Sequence, residues 1–140
     1  MASDDDKGAA LKAVLERLSQ RARRPVTLPS LIEGWQRFVD EVTTGYDATI
    51  YDYTNSLSLR DHLGEVIAAL RPGAAYEIER EISAADERYR AATRASDRPL
   101  LPLSPGLQSW WWFRVPIRAG DELRGDLRSE GFGEVDSPNL

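Results

Sequence analysis

The chain contains no cysteine, a single histidine and a single methionine among its 140 residues. Without cysteine it can form no disulfide, no thiolate nucleophile and no cysteine-bound metal site. No apolar stretch approaches the roughly 18 residues that a membrane-spanning helix needs. The N-terminus is acidic, whereas a signal peptide needs a basic start and an apolar centre. We therefore expect a cytoplasmic protein that has no membrane partner.

A net positive charge is also lacking, because 23 acidic residues outnumber 18 lysines and arginines and the formal net charge is -5. This balance argues against a protein that holds nucleic acid by general attraction to phosphate, so nucleic acid is not an expected partner. A local basic patch is still compatible with it. The hydrophobic content of 41% and the charged content of 29% are ordinary for a globular protein, and the length fits one domain.

Recognisable catalytic motifs are missing as well. The sequence has no glycine-rich phosphate loop and no nucleophile elbow. A two-metal helical bundle needs a Glu-x-x-His motif on each of two helices, but His62 is the only histidine and Leu59 stands three positions before it. We interpret His62 as a surface or boundary residue that Glu65 can contact one helical turn away. We expect no enzyme activity, no catalytic residues, no metal and no cofactor.

Apolar residues at steps of three and four predict amphipathic helices over 9–24, 29–44 and 74–94. Within the second of these segments, Ser30 and Glu33 have the spacing of a capping box, in which each side chain bonds the backbone of the other. This pair predicts that the helix begins close to Ser30.

Residues 46–57 carry two signals. Thr49, Ile50 and Tyr51 favour a strand by propensity, whereas the apolar side chains of the segment recur at helical steps. We predict a short helix here, with a strand as the alternative. Ser58 then resembles the first residue of a separate helix, which would close before Pro72.

The composition changes after residue 94. Proline recurs among leucines over 95–109, which predicts an extended strap lying on the helices. Residues 1–8 are predicted to be a disordered acidic lead, and 119–140 a flexible or weakly helical tail. The helical domain then spans 9–118. The predicted fold is all-α, a compact bundle of four or five helices with a Pro-rich strap, a Trp cluster and a loose acidic tail.

The Trp cluster comprises Trp110, Trp111, Trp112 and Phe113, followed directly by Arg114. Neither a strand nor a helix can turn four consecutive rings toward one core. Packing against the bundle is a sufficient reason for one or two of the rings. The others, together with Arg114, predict a partner-binding site, since tryptophan and arginine are enriched at interaction hot spots.

A second candidate site is basic. Arg17, Arg21 and Arg24 lie one turn apart near the end of the first predicted helix, where the backbone dipole favours cations. Solvated surface charge explains them adequately. The alternative is an anion-binding groove between helices, to which His62 could contribute.

Three segments also carry a resemblance: Leu-Ser-Leu-Arg-Asp at 57–61, Ala-Asp-Glu-Arg-Tyr-Arg-Ala-Ala-Thr at 85–93, and Trp-Trp-Trp-Phe-Arg-Val-Pro at 110–116. Over residues 30–116 the chain resembles small bacterial helical proteins associated with caspase-and-repeat (CATRA) conflict systems. The resemblance implies an accessory role in a multi-protein system, and it implies no catalytic residues.

The leading hypothesis is therefore a non-enzymatic protein-protein interaction module, an accessory component of a bacterial conflict or regulatory system. Its partner would be another protein, and a homo-oligomer is compatible with the same surface. The alternative is a helical protein that binds a small ligand or anion in an arginine-rich groove.

Overall fold

The structure, a computed structural model, describes residues 4–101 and 109–138, with side chains from residue 9 onward. It contains five α-helices, which are α1 Asp4–Ala22, α2 Leu28–Thr44, α3 Ile50–Ala69, α4 Pro72–Ala91 and α5 Asp121–Ser129. A 3-10 helix covers Trp110–Trp112, and two short strands are β1 Thr93–Ala95 and β2 Arg114–Pro116. α2 packs on α3 and α4, and α1 packs on α3. The predicted all-α bundle is confirmed.

Helix α2 begins at Leu28, one residue before the predicted start at 29. Thr27 is its N-cap: the Thr27 hydroxyl accepts from the Ser30 backbone N–H at 3.2 Å, and the Ser30 hydroxyl accepts from the Thr27 N–H at 3.0 Å. The prediction of a Ser30 and Glu33 box was wrong, because the Ser30 hydroxyl already caps the backbone N–H of Thr27, three residues earlier. Gly45, at a φ of 118°, ends the helix in a conformation that a side chain would strain.

Helix α3 is continuous from Ile50 to Ala69. The prediction of helix is correct for residues 50–57, but the separate start at Ser58 was wrong. The N-cap is Thr49, whose hydroxyl accepts from the Asp52 N–H at 3.1 Å. Ser58 is accommodated inside the helix because its hydroxyl donates to the Asn55 carbonyl at 2.5 Å. α3 is the central helix, since α1, α2, α4 and α5 all contact it.

Helix α4 turns a buried face of Ile82, Ala85 and Tyr89 toward the core, as its periodicity predicted. Directly after α4, β1 pairs antiparallel with β2, with Arg94 opposite Val115. This pairing places the 3-10 helix against α3. The strap is seen only at its ends, because 102–108 lie outside the described residues.

The C-terminal region packs more closely than a loose tail. Leu123 and Leu127 of α5 are fully buried, and Phe132 and Val135 are buried as well. The Gly120 N–H donates to the Tyr46 carbonyl at 2.8 Å, which ties this region to the chain before α3. At the other end, α1 already includes residues 4–8 of the predicted disordered lead. No helix in the described ranges is both long enough and apolar enough to cross a membrane.

Candidate functional site

The Trp cluster divides into a buried half and an accessible half. Trp111 and Trp112 are 7% and 6% exposed, whereas Trp110 and Phe113 are half-buried. A strand would turn Trp111 and Trp112 to opposite faces, whereas the 3-10 helix lets both indoles reach the same carboxylate, that of Asp61. Only two of the four rings, those of Trp110 and Phe113, are therefore accessible at the surface.

Asp61 of α3 holds both buried indoles. The Trp111 Nε1–H donates to Asp61 Oδ1 at 2.9 Å, and the Trp112 Nε1–H donates to Asp61 Oδ2 at 2.9 Å. Burial raises the pKa of Asp61, while the two indole hydrogen bonds act in the opposite direction. This carboxylate is the acceptor that allows two indoles to be buried beside each other.

A second carboxylate supports the same region from α4. Asp86 accepts two hydrogen bonds from Arg60, from Nε at 3.0 Å and from Nη2 at 3.1 Å, and a third from the Trp35 indole at 3.0 Å. The Arg60 and Asp86 side chains are only 12% and 13% exposed. The Arg60 guanidinium also lies 4.5 Å from the centre of the Trp111 ring. Arg60 thus links α3, α4 and the Trp cluster.

Two buried tyrosines fix the backbone of the 3-10 turn. The Tyr89 hydroxyl donates to the Trp111 carbonyl at 3.0 Å and lies 3.2 Å from the Tyr53 hydroxyl. Burial raises the pKa of both tyrosines above its ordinary value of 10.0, so both hydroxyls stay protonated donors. Their role is positional.

Arg114, predicted as a charge for a partner, points its guanidinium into the protein. Its Nε donates to the Thr93 hydroxyl at 2.7 Å, and its Nη2 donates to the Thr93 carbonyl at 3.0 Å and the Arg90 carbonyl at 3.2 Å. The Arg90 carbonyl lies in the last turn of α4, where a cation is favoured, and Thr93 is the first residue of β1. Arg114 therefore joins β2 to α4.

Arg90 supplies the positive charge at the accessible half of the cluster. Its guanidinium lies 3.9 Å from the centre of the Trp110 ring, and it pairs with Glu87 at 2.5 Å. The Trp110 ring rests on Trp111 at 5.6 Å and on Tyr89 at 5.9 Å. We define the Trp110 face as Trp110, Phe113 and Arg90. Sequence reasoning missed Arg90, because no local spacing relates it to Trp110.

A cleft with a volume of about 760 Å³ lies between the C-terminal end of α1 and the helices α2 and α3. Arg21 and Arg24, two of the three arginines named for the anion-binding alternative, line it together with Arg37 of α2. Arg17 does not line it and instead pairs with Glu65 at 2.5 Å. We refer to this as the arginine cleft.

His62 lies on the α3 wall of the arginine cleft and is half-buried. Burial lowers the pKa of His62 below its ordinary value of 6.5. The nearby charges act in both directions: Arg21 and Arg17 lower the pKa, and Glu65 and Asp61 raise it. The imidazole is therefore mainly neutral near pH 7.

The lowered pKa of His62 predicts a pH dependence of stability. The unfolded chain binds a proton on His62 at a higher pH than the folded protein does, so folding is penalised on the acid side of 6.5. We expect the free energy of unfolding to rise as the pH increases through the window that ends near 6.5. Urea unfolding at several pH values, compared between the wild type and His62→Gln, measures this. Identical pH profiles of the two proteins would contradict it.

Among the residues that the structure describes, no group of three or more histidine, aspartate or glutamate side chains could hold a metal ion. No protein-family model, curated protein or solved structure matches the chain. The functional assignment therefore depends on the two surfaces above, the Trp110 face and the arginine cleft.

Proposed function

We propose that this protein is a non-enzymatic interaction module that binds another protein through the Trp110 face. One observation carries the proposal: Trp110 stays partly accessible under an arginine while the two tryptophans that follow it are buried. An accessible indole stacked with a guanidinium has the composition of an interaction hot spot.

The Trp110 face is also held in place before any partner arrives. The rings that support Trp110 belong to Trp111 and Tyr89, and both are buried. The Tyr89 hydroxyl holds the carbonyl of Trp111. Preorganised side chains lose little conformational entropy on binding, which favours affinity.

The positive charge of Arg90 favours a partner segment that carries an acidic side chain beside an apolar one. Arg90 is 43% exposed and has Glu87 as its internal partner at 2.5 Å. A partner carboxylate can compete for that guanidinium while its apolar neighbour covers the Trp110 ring. The sequence resemblance over residues 30–116 supports, as part of the same proposal, an accessory role for such a module in a bacterial conflict or regulatory system.

Trp110→Ala is expected to weaken partner binding by at least about 30-fold, since hot-spot truncations cost roughly 2 kcal/mol or more. The partner is first identified by placing a photo-crosslinking benzoylphenylalanine at Phe113 in the native host. The dissociation constant of the purified pair is then measured for the wild type and for Trp110→Ala.

Tyr76→Ala is the matched control. Tyr76 is 62% exposed on α4 and also has an arginine near its ring, Arg80 at 6.0 Å, but it lies outside the Trp110 face. We expect the wild-type dissociation constant for this variant. Unchanged binding of Trp110→Ala would contradict the proposal. If the crosslink joins only two copies of this chain, the Trp110 face forms a homo-oligomer and does not bind a different protein.

A further inference from the structure

The arginine cleft is a second surface, distinct from the Trp110 face, and its two ends differ in charge. α2 and α3 are joined by a short connection and run antiparallel, with Leu59 packed against Gly34, whose added Cβ would come 3.1 Å from a Leu59 methyl carbon. The start of α2 therefore lies beside His62, at the end of the cleft that is lined by Arg21 of α1 and by Arg24, which follows α1.

The α1 end of the cleft is cationic. Within residues 4–101 and 109–138, no carboxylate forms an ion pair with Arg21 or Arg24. The N-terminus of α2 lies at the same end and adds the partial positive charge of its backbone. His62 is mainly neutral there because burial lowers its pKa.

The α2 wall carries more negative than positive charge, with two glutamates and one arginine. Glu33, Arg37 and Glu41 stand one turn apart on it, so a glutamate flanks the arginine on either side. The facing wall of α3 offers uncharged groups, among them Asn55 and Ser58. Uncompensated positive charge is therefore concentrated at the α1 end.

The cleft also offers apolar contact, since Leu18, Leu31, Phe38 and Leu59 contribute to its lining. Its volume of about 760 Å³ is of the size that accommodates a small organic molecule. From Ser30 to Glu41 it follows α2 for about three turns, or roughly 16 Å at 1.5 Å per residue. The dimensions suit an elongated ligand with one charged end.

We propose that the arginine cleft binds a small organic anion, a carboxylate or a phosphate monoester with an apolar body. The acidic group lies between Arg21 and Arg24, and the apolar body extends along Leu59 and Phe38. Arginine suits both acids, because its planar guanidinium can donate two parallel hydrogen bonds to either.

Calorimetric titration with matched probes tests the site: 1-naphthyl phosphate and 1-naphthoate as organic anions, 1-naphthol as the body alone, and inorganic phosphate as the charge alone. We expect at least one organic anion to bind at least about 10-fold more tightly than naphthol and inorganic phosphate. Amide chemical shifts should move around the cleft and stay unchanged at the Trp110 face.

Variants separate the charged end from the apolar body. Arg21→Gln/Arg24→Gln should weaken binding of the organic anion by at least about 10-fold. Arg80→Gln/Arg128→Gln removes the same net charge from exposed positions outside the cleft and should leave affinity unchanged. Ser58→Phe keeps every charge but fills the cleft, and it should abolish binding. Circular dichroism confirms that each variant is folded.

Three results would overturn the proposal: no saturable binding of either organic anion, inorganic phosphate binding as tightly as the organic anions, or equal loss of affinity in the two double-arginine variants. None of these results bears on the Trp110 face, since its partner is measured separately.

Discussion

Asp61→Ala is expected to lower the free energy of unfolding by about 3–5 kcal/mol, because it leaves two buried indole N–H groups without an acceptor. Trp111 and Trp112 both donate to this carboxylate at 2.9 Å, and both rings are buried. An unsatisfied buried donor costs roughly 1–3 kcal/mol, and Asp61→Ala creates two of them. Guanidinium denaturation followed by tryptophan fluorescence measures the change.

Two further variants make the result specific. Asp61→Asn retains one side-chain oxygen that can accept from the indoles, so we expect a smaller loss of about 1–2 kcal/mol. Asp97→Ala removes a carboxylate at an exposed position and should change the stability by less than about 0.5 kcal/mol. If the free energy of unfolding of Asp61→Ala stays within about 1 kcal/mol of the wild-type value, the hydrogen bonds to Asp61 are not what holds the two indoles.

The helical bundle could be predicted because its signal is local. In α4, Ile82, Ala85 and Tyr89 recur at steps of three and four, and these residues are buried in the structure. A stripe of this kind has few ways to be buried other than against another helix. The same argument identified the helical character of residues 50–57, where Ile50, Tyr53 and Leu57 are buried.

Helix boundaries were harder, since several hydroxyl side chains compete for each cap. Thr27, Ser30 and Glu33 are each three residues apart, so two overlapping capping boxes are compatible with the sequence. The Ser58 hydroxyl donates to the Asn55 carbonyl within α3, so Ser58 does not begin a new helix. Which hydroxyl forms the N-cap depends on where the buried face of the helix begins. That position is set by tertiary packing.

The packing of the C-terminal region depends on distant residues in the same way. α5 is only nine residues long, too short to give a convincing periodic pattern. Its Asp126 accepts from the Ile50 N–H at 2.9 Å, so the start of α3 provides one of its docking points. Leu123 and Leu127 become buried only through such contacts.

Some residues of the two candidate sites could be singled out from the sequence, and others could not. The sequence identified the aromatic run and two of the arginines that line the cleft, because these residues are adjacent or regularly spaced along the chain. It could not show that Asp61 would hold Trp111 from 50 positions away, or that Arg90 would cover Trp110. Such pairings arise where α3, α4 and the paired strands β1 and β2 meet.

Arg60→Met is expected to cost about 3–5 kcal/mol, because it leaves the Asp86 carboxylate largely buried without its cation. The Arg60 and Asp86 side chains are 12% and 13% exposed and share two hydrogen bonds, at 3.0 and 3.1 Å. After the substitution, only the Trp35 indole still donates to Asp86. Asp86→Leu should cost a similar amount, since it strands both Arg60 and the Trp35 indole.

The double variant Arg60→Met/Asp86→Leu measures how strongly the two side chains depend on each other for stability. Replacing both charges by apolar groups removes the stranded ion, so the double variant should lose at least about 2 kcal/mol less than the sum of the single losses. Guanidinium denaturation of all four proteins gives this coupling energy.

The same cycle at Arg88 and Asp40 serves as the control, because this Arg–Asp pair also joins two helices but is 48% and 68% exposed. Its coupling should stay below about 1 kcal/mol. Additive losses at Arg60 and Asp86 would mean that the two residues act independently. The link between α3, α4 and the Trp cluster would then depend on aromatic packing alone.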